Sequence, residues 1–149
     1  MTTLPPILIV TDRGHFVAYR LLPGAGPEVL HRADFSEGTD KISEIVTDQA
    51  GRFPSGGTDG YRQSAMERPK LVLELETRCV RHIAEHITEV LTAYSGAWAL
   101  AAPGEINHPI LEHLTQELQN RLQLNLPKDL VKIPVGEIAS HFLKAKQHA

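Results

Sequence analysis

The chain has 149 residues, 42% hydrophobic and 22% charged, an ordinary composition that fits one globular domain with one core. Its formal charge of −3 speaks against wholesale electrostatic capture of nucleic acid, leaving only a local basic patch for that purpose. One cysteine, Cys79, excludes an internal disulfide framework and a multi-cysteine zinc site.

The longest apolar runs, Pro5 to Val10 and Ala97 to Pro103, are far short of the roughly 20 residues that span a bilayer. No basic region, apolar stretch and small-residue cleavage site open the chain, so no signal peptide is expected. The expected location is the cytoplasm.

Ile7-Leu8-Ile9-Val10 is a short β-branched run of the kind a buried strand shows. Thr11-Asp12-Arg13-Gly14 supplies a tight turn. His15 to Leu22 then alternates Phe16, Ala18 and Arg20 against Val17, Tyr19 and Leu21, as the second strand of a hairpin would. Pro23-Gly24-Ala25-Gly26-Pro27 breaks it. Glu28 to Ser36 resumes an extended pattern, with Val29, His31, Ala33 and Phe35 on one side. Three such strands joined by short turns predict an antiparallel meander.

Residues 37–69 show neither period and are predicted to form a long loop around Gly51 to Ser64. Connections of that length are functional loops or disorder. Pro69 suits the first turn of a helix, which Val72, Leu75, Cys79, Ile83, Ile87, Val90 and Tyr94 continue at helical spacing. Ser64 and Glu67, which also have capping-box spacing, are read as a preceding turn. Gly96 is placed to end the helix.

Trp98 to Ala102 reads as a strand ended by Pro103-Gly104. Asn107 is a good N-cap for a second helix carrying Ile110, Leu111, Leu114, Leu118 and Leu122. Leu126-Pro127 breaks that helix, Leu130 to Ile133 reads as the last strand, and Pro134 introduces a final helix with Val135, Ile138, Ala139 and Phe142. Alternating strand and helix implies parallel pairing with right-handed crossovers. The predicted fold is therefore α/β: a five-stranded mixed sheet, helices on both faces, in the order of the ribonuclease H-like fold.

Three segments, Ile9 to Gly14, Trp98 to Gly104 and Leu130 to Ile138, resemble in content and order the bacterial host-attachment protein family. That family is described as bacterial relatives of the central domain of archaeal and eukaryotic class 1 peptide release factors. The resemblance implies that the loop before the first helix corresponds to one bearing a Gly-Gly-Gln motif, which helps water cleave peptidyl-tRNA on the ribosome. Glycines suit such a task because they let backbone approach RNA and adopt positive φ. Here Gly56-Gly57 is followed by Thr58, and the nearest glutamine is Gln63. A flexible loop whose glycines only relieve strain is the structural alternative.

Arg52, Arg62, Arg68 and Lys70 stand against Asp59 and Glu67, giving residues 51–70 a net charge of +2. Phe53 and Tyr61 lie among them. Cations mixed with aromatics can contact phosphates and stack on bases; a solvated surface loop would have a similar composition. His82-Ile83-Ala84-Glu85-His86 matches the H-x-x-E-H zinc-protease pattern, with both imidazoles on one helix face. No third ligand motif follows, and both histidines flank the apolar stripe, so ordinary packing also accounts for them. Asp12 occupies the strand-end position of a nuclease carboxylate, but converging partners are lacking and a turn aspartate is the simpler reading. Cys79 lies on the apolar stripe and is expected to be buried and inert.

The expectation is a non-enzymatic, translation-associated factor that contacts RNA or the ribosome through residues 51–68, without a cofactor. Its predicted contacts are Arg52, Phe53, Tyr61, Arg62, Arg68 and Lys70. A peptidyl-tRNA hydrolase using Gly56, Gly57 and Gln63 is the enzymatic alternative. A protein-interaction module serving attachment to host cells is the third.

Overall fold

A computed structural model describes residues 4–35 and 58–147, with side chains over 4–35 and 73–146. The strands are β1 (Ile7–Thr11), β2 (His15–Arg20), β3 (Glu28–Asp34), β4 (Trp98–Ala101) and β5 (Leu122–Leu126). The helices are α1 (Thr58–Ala93), α2 (Gly104–Glu112), α3 (Gln116–Arg121) and α4 (Val135–Gln147). The strands form one sheet in the order β3-β2-β1-β4-β5. β1, β2 and β3 pair antiparallel, while β4 runs parallel to β1 and β5 parallel to β4. The predicted mixed five-stranded sheet with helices on both faces is present.

β1 sits at the centre of the sheet and all five of its residues are buried. A strand covered on both faces needs apolar side chains in both directions, which is why its sequence is a continuous run. Ile7, Ile9, Phe16, Ala18, Trp98 and Leu100 face α1 and α2, where Val80, Ile83, Ile87, Val90 and Ile110 close the larger core. Leu8, Val10, Tyr19, Ala99 and Ala101 point the other way, against Ile138 and Phe142 of α4. The alternation read along His15 to Leu22 thus separates two real faces.

Two bulges adjust the sheet. Ala18 pairs with His31 and Tyr19 with Val29, leaving Leu30 as the extra residue of β3. The bulge turns Leu30, Ala33 and Phe35 all toward the α1 side and leaves Val29 46% exposed on the edge strand. In β5 the pairing of Trp98 with Leu122 and Ala99 with Leu124 skips Gln123.

Three expectations are corrected. Helix α1 begins at Thr58 rather than Pro69, so residues 58–69 are helical; the rest of the expected loop, 37–57, lies outside the described residues. Tyr61 to Arg68 contains no glycine, proline or β-branched residue, and such a segment favours helix. Pro69 then sits inside α1, where proline removes one backbone bond at a cost of about 3 kcal/mol without forbidding the helix.

The last strand is Leu122–Leu126, not Leu130 to Ile133. Leu122, Leu124 and Leu126 carry the strand period of two, but Leu122 also completes a helical stripe, and that ambiguity hid the strand. Leu130 to Ile133 forms a turn: the Ile133 N–H donates to the Leu130 carbonyl at 3.1 Å, and the Val131 N–H to Asp129 Oδ1 at 3.0 Å. Leu130 is nonetheless buried beside α4.

The single helix expected from Asn107 to Leu122 is two. Thr115 accepts from the Leu118 N–H at 3.4 Å and caps α3. Asn107 is not the cap of α2, which starts after Pro103; it is buried within that helix.

Candidate functional site

In open α/β sheets, ligand crevices lie outside the carboxyl ends of the strands. Here the carboxyl ends of parallel β1 and β4 lead into the Asp12-to-Gly14 turn and the start of α2. Asp12 Oδ1 accepts from the Gly14 N–H at 2.7 Å and the His15 N–H at 2.6 Å, with His15 Nδ1 at 3.1 Å. Asp12 is thus the turn residue that the simpler reading expected. Arg13 Nε donates to Glu76 of α1 at 2.7 Å, and a terminal guanidinium nitrogen lies 3.9 Å from Glu105 of α2. The Cys79 thiol donates to the Arg13 carbonyl at 3.0 Å. Burial pushes the Cys79 pKa up to about 11, against the opposing pull of Arg13. This thiol stays protonated near neutrality and is a poor nucleophile.

A second cluster lies between β3 and α1. His31 Nε2 is 2.9 Å from His86 Nδ1. Phe16 packs on both rings, at 5.8 Å and 5.6 Å between centroids, and Phe35 lies 5.4 Å from His86. Burial, then the neighbouring His31, lowers the His86 pKa. Glu89, one turn further along α1, places Oε2 at 4.0 Å from His86 Nδ1. One ligand atom from each of His31, His86 and Glu89 falls within 4.8 Å of the others.

His82, the expected partner of His86, points elsewhere: its side chain is 63% exposed and lies 3.7 Å from Glu85. Sequence reasoning placed His31 on a strand face with Ala33 and Phe35, but could not say which helical residue would meet it. Only the packing of α1 across the sheet brings them together.

The third feature is an exposed strip on α1. Leu73, Thr77 and Arg81 recur every fourth residue, with Glu74 and Arg78 beside them, around a surface cavity of about 540 Å³. Leu73 is 60% exposed. Arg78 and Arg81 are exposed and make no ion pair with a described residue.

Of the predicted contact residues, Tyr61, Arg62, Arg68 and Lys70 lie on α1, together with Gln63, in the part described as backbone only. Arg52, Phe53, Gly56 and Gly57 lie outside the described residues.

These features define an α/β protein whose polar groups at the sheet's carboxyl end are engaged in holding turns and helices together. No described helix is long and apolar enough to cross a membrane. Residues 7–142 match the family model described as "Protein required for attachment to host cells", and the chain belongs to that family. Comparison with curated proteins gives no match.

Proposed function

We propose that this chain is a non-enzymatic binding factor that contacts RNA, with the ribosome as its natural target, through residues 51–70 and the adjoining face of α1. The observation that supports this reading most is the strip of Leu73, Glu74, Thr77, Arg78 and Arg81, with two cations to one acid. Its two arginines have no described acidic partner, and it continues a segment containing Arg52, Arg62, Arg68, Lys70, Phe53 and Tyr61. Guanidinium groups with aromatic and apolar neighbours suit phosphate and base contact. The resemblance to the release-factor central domain belongs to the same proposal.

Among the described residues, the polar groups at the sheet's carboxyl end have structural partners. Asp12 is held by two turn amides and Arg13 by two glutamates. Cys79 is a buried, protonated thiol.

Co-sedimentation with ribosomes tests the proposal, comparing the intact chain with one whose residues 52–63 are a Gly-Ser linker. Association of the intact chain that the replacement abolishes supports it. Equal sedimentation of both, or of neither, rejects it. The family description favours a second reading, a protein-interaction module serving attachment to host cells; it gains if ribosomes fail to bind while both chains remain folded.

A further inference from the structure

We propose that His31, His86 and Glu89 form a binding site for a divalent transition-metal ion of the zinc type, joining the edge strand β3 to α1. The site is independent of the RNA reading and differs from the H-x-x-E-H pattern, since His82 takes no part.

The donor set is two imidazole nitrogens and one carboxylate oxygen, a combination found around open zinc sites that keep a fourth position for water. Imidazole also suits cobalt, nickel and copper, so the ligand chemistry selects a class of ion. Donors held about 2.0–2.1 Å from a tetrahedral ion are about 3.3 Å apart. The observed separations straddle that value: 2.9 Å between the two ring nitrogens and 4.0 Å from His86 to Glu89. The imidazoles need to part slightly and Glu89 to move in. Glu89 can do so freely, because its side chain is 70% exposed.

Position supports the same conclusion. The two histidines are fifty-five positions apart, on different elements, yet their ring nitrogens converge on one point. Phe16 and Phe35 wall that point on the sheet side. A dry wall strengthens ligand–metal attraction, and the exposed Glu89 leaves a route for the ion to enter. Without metal, what joins the two imidazoles across β3 and α1 is the 2.9 Å contact between their ring nitrogens.

Zinc titration of the full, chelator-stripped chain by calorimetry tests this, with Co²⁺ absorption reporting coordination. The expected result is one ion per chain, micromolar or tighter, with a raised melting temperature and the ligand-field bands of four-coordinate Co²⁺. His31→Gln and His86→Gln should each weaken binding by about 100-fold or more, since loss of even an outer-shell partner costs 10–100-fold. His82→Gln should leave affinity unchanged. Should either histidine variant misfold, the surface variant Glu89→Gln decides instead: a loss of about tenfold is expected, with the Co²⁺ bands altered. Absence of saturable binding, an unaltered affinity in Glu89→Gln, or an equal loss in His82→Gln would overturn the assignment.

Discussion

Asn107 of α2 and Asn125 of β5 hold each other through two reciprocal amide hydrogen bonds, 2.8 Å and 2.7 Å long, across eighteen positions of sequence. Asn107 is only 4% exposed, and its Nδ2 also lies 3.4 Å from the Ala102 carbonyl. Asn125 sits opposite Leu100, so its side chain faces α2 while Leu124 and Leu126 face α4. The pair pins both the register of β5 and the depth of α2. Truncating Asn125, which is itself exposed, strands the buried amide of Asn107. Asn125→Ala is expected to destabilise by about 1–3 kcal/mol, more than Asn107→Ala, which leaves an amide that water can reach. Combining Asn107→Leu with Asn125→Leu removes both polar groups, and should cost less than the two single alanine changes together. Urea unfolding of the parent, the two alanine variants and the double variant gives the coupling.

Arg121 closes the far end of α1. Its guanidinium donates to the carbonyls of Leu91, Tyr94 and Gly96, each at 2.8 Å. α1 has no basic residue in its own last turn, so α3 supplies the cation that the helix terminus favours. Arg121→Ala should lower stability by about 1–3 kcal/mol. Lysine should recover only part of that, because a single ammonium cannot reproduce the planar fork. Gly96 allows this approach through a φ of 114°, with Pro6 Cγ only 3.3 Å from where a Cβ would stand. Gly96→Ala is therefore strained in both backbone and contact. Thermal melts of the three variants check the ranking, all expected below the parent.

The only tryptophan, Trp98, is fully buried and donates Nε1–H to the Leu118 carbonyl at 2.8 Å. Its emission should be blue-shifted in the folded chain and move red on unfolding. Trp98→Phe removes the donor and opens a cavity between β4 and α3. A loss of about 2–4 kcal/mol is expected, read by circular dichroism because the fluorophore is gone.

The strands β1, β2 and β4 were legible because their burial is complete or cleanly alternating, and Cys79, Ile83, Ile87 and Val90 marked α1 unambiguously. The β3 bulge at Leu30, the division at Thr115 and the identity of β5 were not. The division at Thr115 rests on a local cap that the continuous leucine stripe masked, while the bulge depends on β2 and the identity of β5 on its pairing with β4 and the Asn107 contact. The same limit applied to the histidine cluster. His86 was visible as half of a one-turn pair with His82, but its real neighbour, His31, is on a strand whose bulge sets which way it points. The turn role of Asp12 was legible because its partners lie two and three residues away.

Cys79 carries a pH signature. Its thiol pKa is about 11 in the folded protein against 9.0 for the free group. A raised pKa means that the folded chain holds the proton where the unfolded chain has lost it. Stability from this group is thus fully present below pH 9 and declines as pH rises toward 11. Urea midpoints should fall across that window, and Cys79→Ala should flatten the decline. At about pH 8, below the free thiol's range, alkylation of the folded chain should be far slower than in denaturant.

Ribosome sedimentation of the double variant Arg78→Glu/Arg81→Glu, over a salt series, decides the RNA assignment most directly. Phosphate contacts release counterions, so binding should weaken linearly on a log–log salt plot. The RNA reading predicts weaker association at low salt and a slope shallower by about 1–2 for the double variant. Identical affinity and slope for both chains, or no association of the parent at low salt, would contradict it.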